Sequence, residues 1–422
     1  MPRRVVVVSG DILPLPKCPS TGAGLRAWSL GKGLESKSHD VTYLMPMPIR
    51  RKIGLAKVQE NVQFFDLSSK GMTTKIESVD PDIIVFQHWP LVPLLKETES
   101  YVVIDFHGPH ILERTMQGYG DLKSNAICKL NAIGKADFFT CAGEYQRRYF
   151  IPWLLLGGVE VEEEILRSIP VSMSPNLPKH EFREESTFVY GGVFLPWQDP
   201  SVALYAVMRT LERSGKGRLK IFGGKHPIHT ISHGIFDSLM KDLSRSGRVE
   251  IHPFLSHDEL LSEYVQAHVA VDAMRRNWER ELAFTTRTVE YLWCGLPVIY
   301  NDYSELSEYI AKYKAGWALD PCNGNKISEL VEAIVDTPTV LTEYSKNAQE
   351  LVKREFNWEK TIQPLHDFCE RPKRREKGGL VFEEAPRTSY MNLFRVGLHV
   401  LREEGPIEFA RKTSDYLRRK MG

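Results

Sequence analysis

Short runs of Val, Ile and Phe alternate with stretches of helical pattern along most of this chain, and that rhythm limits the fold more than any other feature. Val5–Ser9, Val41–Met45, Ile83–Gln87, Val102–Phe106 and Phe138–Thr140 are largely apolar and bounded by polar, Gly or Pro positions. A strand with one wet face alternates apolar and polar residues; a strand buried on both faces reads as a continuous apolar run. Leu25–Ser36, Leu91–Glu97, Leu122–Gly134 and Glu144–Phe150 supply helices between them. Such alternation predicts an α/β fold whose parallel sheet is covered on both sides.

The pattern then restarts. Ser174-Pro175-Asn176-Leu177-Pro178 is a cluster of breakers, followed by the polar run Lys179–Ser186. A second strand series comprises Thr187–Gly191, Leu219–Phe222, Val249–His252, Val269–Ala273 and Val298–Tyr300. Its helices are Ser201–Ser214, His257–Gln266, Thr286–Trp293, Tyr303–Lys314 and Val340–Phe356. The expected division is a first domain over 1–178, a second over 179–370 and a tail over 371–422. In the tail, Glu370–Lys377 reads as an exposed charged linker, and Met391–Arg402 and Ile407–Met421 as amphipathic helices. Phe409, Tyr416 and Leu417 share one side of the last helix with Arg411, Lys412, Arg418, Arg419 and Lys420 around them. That pattern suits either docking on the body or contact with an anionic membrane surface.

Composition excludes several classes. With 42% hydrophobic and 26% charged residues over 422 positions, the chain has ample core for two or three globular domains. A net charge of +1 gives no general attraction to nucleic acid. Six scattered Cys without a CxxC pair argue against a zinc site or disulfide framework and for a reducing, cytoplasmic setting. No apolar stretch approaches the ~18 residues that would span a bilayer, and Val5–Val8 is too short for a signal peptide.

The stretch Glu281–Asp302 carries the most chemistry. Thr285, Thr286 and Thr288 stand where a helix should begin, Arg287 adds a cation, and Glu290 follows about one turn later. A helix N-terminus offers unpaired amides and a positive dipole end to a phosphate. A carboxylate one turn further can accept hydrogen bonds from sugar hydroxyls. Elsewhere, Gly22 and Gly24 precede a helix, where bare backbone can approach a ligand. Gly22-x-Gly24-x-x-Ala27 also matches a dinucleotide fingerprint, although it lies about a dozen residues after its strand rather than directly on it. Gly191-Gly192 and Gly223-Gly224-Lys225 end two successive strands of the second series, with Lys225 a point charge for a diphosphate. His107 follows the Val102–Phe106 strand, where open α/β sheets bind their ligands. Met274–Glu281 packs Arg275, Arg276, Arg280, Glu279 and Glu281 around Trp278, just before the helix start.

These residues resemble the glycosyltransferases of the GT-B fold, in particular the retaining, nucleotide-sugar-dependent group 1 enzymes, over most of residues 1–370. Glu290-Tyr-Leu-Trp-Cys-Gly295-Leu-Pro297-Val-Ile299 is similar to that group's E-A-x-A-x-G-x-P-V-I signature. The resemblance implies two Rossmann-like domains facing across a cleft, with acceptor on the first and nucleotide sugar on the second. It implies Glu290 on the ribose, the amides of Thr285 and Thr286 on the diphosphate, and His107 beside the transferred sugar. It also implies neither metal nor cofactor, the donor being a UDP, GDP or ADP sugar. The acceptor would be a glycan, a lipid-linked molecule or a small molecule, and no nucleic acid is expected. The group places a second acidic residue eight positions before the ribose carboxylate. Here that position is Leu282, and Glu281, one residue further away, is the expected substitute, with His107 and Arg287 as catalytic partners. The usual Arg and Lys after Gly192 are absent; the chain reads Val193-Phe-Leu-Pro-Trp-Gln-Asp199. The expected activity is hexosyl transfer with retention. The rivals are a nicotinamide-dependent oxidoreductase, a sugar-nucleotide epimerase and a non-catalytic glycan-binding subunit.

Overall fold

The computed structural model describes residues 2–54, 59–118, 121–231, 234–376 and 405–421. Two parallel sheets form, one from each series. The first has strands β1 (Arg4–Ser9), β2 (Asp40–Pro46), β3 (Val62–Phe65), β4 (Ile83–Gln87), β5 (Tyr101–Phe106), β6 (Phe138–Cys141) and β7 (Leu166–Ser168). Its order is β3-β2-β1-β4-β5-β6-β7. The second has β8 (Thr187–Val193), β9 (Arg218–Gly224), β10 (Val249–His252), β11 (Val269–Asp272), β12 (Val298–Asn301) and β13 (Gly316–Leu319), in the order β10-β9-β8-β11-β12-β13.

Consecutive residues of the central strands feed cores on opposite faces. Val5 and Val7 join one cluster while Val6 and Val8 join another. Phe188 and Tyr190 similarly face away from Val189. This is why those strands show no polar alternation. The strands β3, β7 and β13 escape the apolar-run signal because they are short or mixed, as Gln63, Arg167 and the Gly316–Leu319 stretch show. Leu91–Glu97 is not an α-helix. A 3₁₀ turn spans Trp89–Leu94 instead, because Pro90 and Pro93 remove two amide donors from so short a segment.

The end of the second series returns to the first domain. Met173 bridges Asn357, and Trp358 N donates to Met173 O at 3.1 Å. Beyond that crossing, Ile362, Leu365, Phe368 and Cys369 sit in the first domain's core beside Leu30 and Leu34. Residues 358–370, assigned from sequence to the second domain, therefore pack on the first. Glu370–Lys377 is likewise not a free linker over its described part. Arg374 bonds the Ser100 carbonyl at 3.0 Å and approaches the buried Asp137 carboxylate at 3.4 Å. Arg375 donates to the carbonyls of Ala136, Ile133 and Gly134 at the end of helix Leu122–Lys135. Met391–Arg402 lies outside the described residues. The final helix is present over Pro406–Met421. No helix among the described residues is long and apolar enough to cross a membrane.

Thr187 N donates to His268 Nδ1 at 3.0 Å, and burial first, then His180 and Arg183, hold that imidazole down at about 4. A depressed histidine stabilises the fold above its unfolded value and loses that contribution as pH falls towards its folded one. Between pH 7 and pH 5, His268 alone is expected to cost the fold about 2 kcal/mol. Urea midpoints at the two pH values check this; a His268→Asn variant with an unchanged midpoint difference would assign the loss elsewhere.

Candidate functional site

Each sheet has one place where the strand order reverses: between β1 and β4 in the first, and between β8 and β11 in the second. Ligands of open α/β sheets sit outside the carboxyl ends of the strands at such points. One cavity of about 810 Å³ joins the two reversals. Gly10 and Asp11 after β1, and Gln87 and His88 at the end of β4, line it from the first domain; Gly191 and Gly192 of β8 line it from the second. His107 and Gly22 of the first domain, and Thr285, Thr286, Arg287 and Glu290 of the second, also line it.

The helix Thr286–Trp293 presents its open end here. Thr285 is its N-cap yet makes no side-chain cap hydrogen bond. Its hydroxyl is shared instead with Thr288 Oγ1 and Tyr300 OH, each at 2.8 Å. The first amides of the helix have no intrahelical acceptor, so this end suits an anion. Thr286 is buried, and its hydroxyl meets the Gly22 carbonyl of the first domain at 3.4 Å. One turn in, Glu290 Oε1 bonds His257 Nε2 at 2.5 Å. Burial pulls His257 down, but the Glu290 charge and hydrogen bond outweigh it and leave it raised. His257 N donates to Cys18 O at 2.8 Å, tying the Glu290 pair to the first domain's loop.

Arg287 does not reach outward as a free cation. It donates to Gly191 O at 2.6 Å and Gln198 Oε1 at 2.9 Å, and its Nε lies 3.6 Å from Asp272 Oδ1. Burial opposes its charge, but Asp272 and the ring of Tyr190 hold its pKa above the ordinary value. Asp272 is 1% exposed and also accepts from Thr288 Oγ1. Gly192 lies against this guanidinium at φ +125°, a conformation that side chains resist, and an added Cβ would sit 3.0 Å from Arg287 Nη1.

Several expected residues fall elsewhere. Gly24 is off the wall; its missing Cβ would stand 1.6 Å from Ile12 O, so it serves close packing of the loop. Gly224 and the exposed Lys225 are also off the wall; His226 and the solvent-exposed His229 line the cavity instead. Glu281 points away and pairs with Arg276 at 2.8 Å. The carboxylate that does enter is Glu279, 2% exposed and held by Arg280 through bonds of 2.5 and 2.7 Å. Asn277 caps the short helix Trp278–Leu282, and that turn sends Glu279 inward and Glu281 outward. Burial raises Glu279 above the usual carboxylate range despite the pull of Arg280. Sequence spacing favoured Glu281 because it is nearest to the expected position; the helical turn reverses the choice.

On the first domain, Arg26 and Asp105 form a fully buried pair at 2.8 and 3.0 Å, with Thr140 Oγ1 donating to Asp105 at 2.6 Å. It braces the end of β5 from which His107 emerges. Burial, and then the Arg26 charge, push His107 down to about 4, so the imidazole is neutral at pH 7. Its Nδ1 has no hydrogen-bond partner among the described residues.

Among the described residues, two groups have donor atoms close enough for a metal: Asp11, His226 and His229 on the cavity wall, and His39, His366 and Glu370 away from it. At the first, His226 Nδ1 accepts from the amides of Ile228 and His229, which places the ring proton on Nε2, 3.3 Å from Asp11. At the second, His39 Nδ1 accepts from Arg3 N, so its Nε2 proton faces His366 Nδ1 at 2.9 Å. Each site is arranged as a hydrogen-bonded pair rather than a set of converging lone pairs.

Residues 175–351 match the family model described as glycosyl transferases group 1. This chain has a GT-B fold. The matched residues include the second domain's part of the cavity wall, from Gly191 to Glu290. No curated protein sequence matches the chain. Among solved structures, it is similar to a sucrose-phosphate synthase from Thermosynechococcus elongatus, at 15% identity and TM-score 0.68, over 87% of this chain and 98% of that one. It is similar to an alpha-glucosyltransferase in complex with UDP-glucose and DNA, at 11% identity and TM-score 0.62, over 88% and 100%. WaaG, a glycosyltransferase involved in lipopolysaccharide biosynthesis, matches at 12% identity and TM-score 0.60, over 86% and 98%.

Proposed function

We propose that this protein moves a sugar from a nucleoside diphosphate to an acceptor hydroxyl, with retention and without a metal. The observation that carries the reading is the pairing of the open helix end at Thr285–Arg287 with the Glu290 carboxylate one turn away, on a wall that faces His107. Glu290, steadied by His257, accepts from the ribose hydroxyls. The diphosphate sits at the amides of Thr286 and Arg287. As the bond from C1 to the diphosphate oxygen breaks, its electron pair goes to that oxygen, and the preformed dipoles stabilise the charge. The acceptor oxygen bonds C1 from the same face and passes its proton to the departing diphosphate. Neutral His107 exchanges hydrogen bonds with the sugar. Glu279 faces the positive charge that develops at C1. The free thiols of the six cysteines suit a reducing, cytoplasmic setting.

A thermal-shift screen with UDP, GDP and ADP and their sugars, in chelator, tests the reading. A ligand at 100 times its Kd adds about 2.7 kcal/mol of stability. Absence of any shift across the series would remove the nucleotide site. Glu290→Ala should weaken the nucleotide found in that screen by about 10- to 100-fold, the size of a lost charged hydrogen bond. Calorimetry reads this directly, and unchanged affinity would take Glu290 off the ribose.

A further inference from the structure

We propose that the acceptor is an uncharged polyhydroxy compound, held through two of its hydroxyls by Gln87 and His88 at the end of β4. The inference rests on the transferase reading above, which gives the second domain's side of the cavity to the nucleotide, sets the moving sugar beside His107 and leaves the neighbouring strand end to the acceptor.

β4 stands where the first sheet reverses its order, and Gln87 is its last residue. Successive side chains of the strand take opposite faces: Ile83 and Val85 join one core cluster, Ile84 and Phe86 the other. Gln87 continues the first series, and His88 follows at the strand end; both line the cavity. Gln87 is 2% exposed, and its amide Nε2 has no hydrogen-bond partner among the described residues. Asp105, in register with it on β5, is committed to Arg26 and Thr140. His88 has φ +89° and ψ 145°, a conformation that side chains resist and that gathers at binding sites. Its Nδ1 accepts from the Trp89 amide at 3.0 Å, which places the ring proton on Nε2. Edge contacts with Trp89 and His110 hold the ring. Nε2 is likewise buried without a partner among the described residues. A buried donor without an acceptor destabilises a fold, so two of them at one strand end on a cavity wall point to oxygens of a ligand.

The donors define the chemistry of that ligand. Burial, then the neighbouring His110 and His107, hold His88 well below the ordinary histidine value, so its imidazole is neutral at pH 7. A neutral imidazole and an amide match hydroxyls, which accept from both and can donate back to the amide oxygen. The carboxylates on this side are engaged, Asp11 with His226 at 3.3 Å and Glu113 with His110 at 3.2 Å. His107 follows β5, the adjacent strand, and paired strands lie about 4.8 Å apart. A polyol gripped at β4 thus presents a further hydroxyl to the sugar.

The test uses the full chain and the nucleotide sugar that binds best. Donor turnover is measured with myo-inositol, methyl α-D-glucopyranoside and, as the anionic rival, glycerol 3-phosphate, for wild type, Q87L and H88N, alongside urea midpoints. Leucine fills the place of the amide without a donor; asparagine can keep the bond to the Trp89 amide while losing the Nε2 proton. The expected result is transfer to a neutral probe, with its KM raised about 10-fold or more in each variant, the size of one lost hydrogen bond. Donor KM and the slow loss of donor to water should stay within a few fold, and the Q87L midpoint should not fall, because no internal bond is broken. Transfer to neither neutral probe, transfer to glycerol 3-phosphate alone, or an unchanged acceptor KM in both variants overturns the proposal. So does a lower Q87L midpoint with donor and acceptor KM worsened together, the mark of a structural role. If no nucleotide sugar binds, the transferase reading fails instead. Saturation-transfer NMR of the two neutral probes then decides the seat by itself: binding lost in Q87L supports it, and equal or absent binding overturns it.

Discussion

Arg287→Ala is expected to lower the stability of the protein by about 3–5 kcal/mol, the cost of leaving a buried charge without its partner. The stranded group is Asp272, 1% exposed at the end of β11, whose Oδ1 faces Arg287 Nε at 3.6 Å. The same change strips donors from Gly191 O and Gln198 Oε1. Denaturant unfolding of the purified variant measures the loss. A guanidinium that served mainly to hold the departing diphosphate would give a different pattern: turnover down by about 10²–10³ with stability almost intact. The structure favours the stability loss, because this side chain is spent on carbonyl, amide and carboxylate partners of its own domain. Arg287→Ala combined with Asp272→Asn should recover much of the stability, since the second change removes the stranded charge. If the double variant is no more stable than the single one, the pair is not what holds this corner together.

The second large effect separates two neighbouring carboxylates. Glu279→Gln is expected to lower the transfer rate by about 10²–10³, and Glu281→Gln to leave it near wild type. Glu279 is buried on the cavity wall, bonded twice by Arg280; Glu281 lies outside it, bonded to Arg276. A glutamine at 279 keeps the shape and one acceptor for Arg280 but removes the negative charge that faces C1. Nucleotide affinity, measured alongside, should stay within a few fold, because the ribose and diphosphate contacts are elsewhere. Glu279→Asp, which retains the charge on a shorter arm, should recover part of the rate. The reverse ranking, with Glu281→Gln the slower enzyme, would restore the assignment that spacing alone suggests and would require the Trp278–Leu282 turn to rotate.

Local physics was legible in the residues themselves. Unbroken apolar runs such as Val5–Val8 and Ile83–Phe86 declare strands covered on both faces, and these lie side by side in the middle of the first sheet. The threonines before Glu290 and the Gly295-Leu-Pro297 stop likewise define a helix whose open end faces a cavity. Two α/β units and the position of one anion-binding helix end follow from periodicity and capping, because those depend on neighbours along the chain.

What the sequence could not decide is which polar groups meet across that cavity. Glu281 is nearer than Glu279 to the expected spacing, yet a turn capped by Asn277 turns one inward and the other out. Lys225 looked like the point charge at a strand end, and His226 and His229 took the wall in its place. Arg287 had every sign of a phosphate ligand until Asp272, fifteen residues back, was found beneath it. Arg26 and Asp105, far apart in the chain, form the pair that supports His107. The same holds for Trp358–Glu370, which returns to the first domain, and for Lys412, which closes on Thr230. A charge is committed or available only according to what lies within about 4 Å of it, and for buried groups those neighbours come from other elements. Strand and helix are written in the spacing of adjacent residues; the chemistry of this cleft is set by contacts that exist only after each domain has folded.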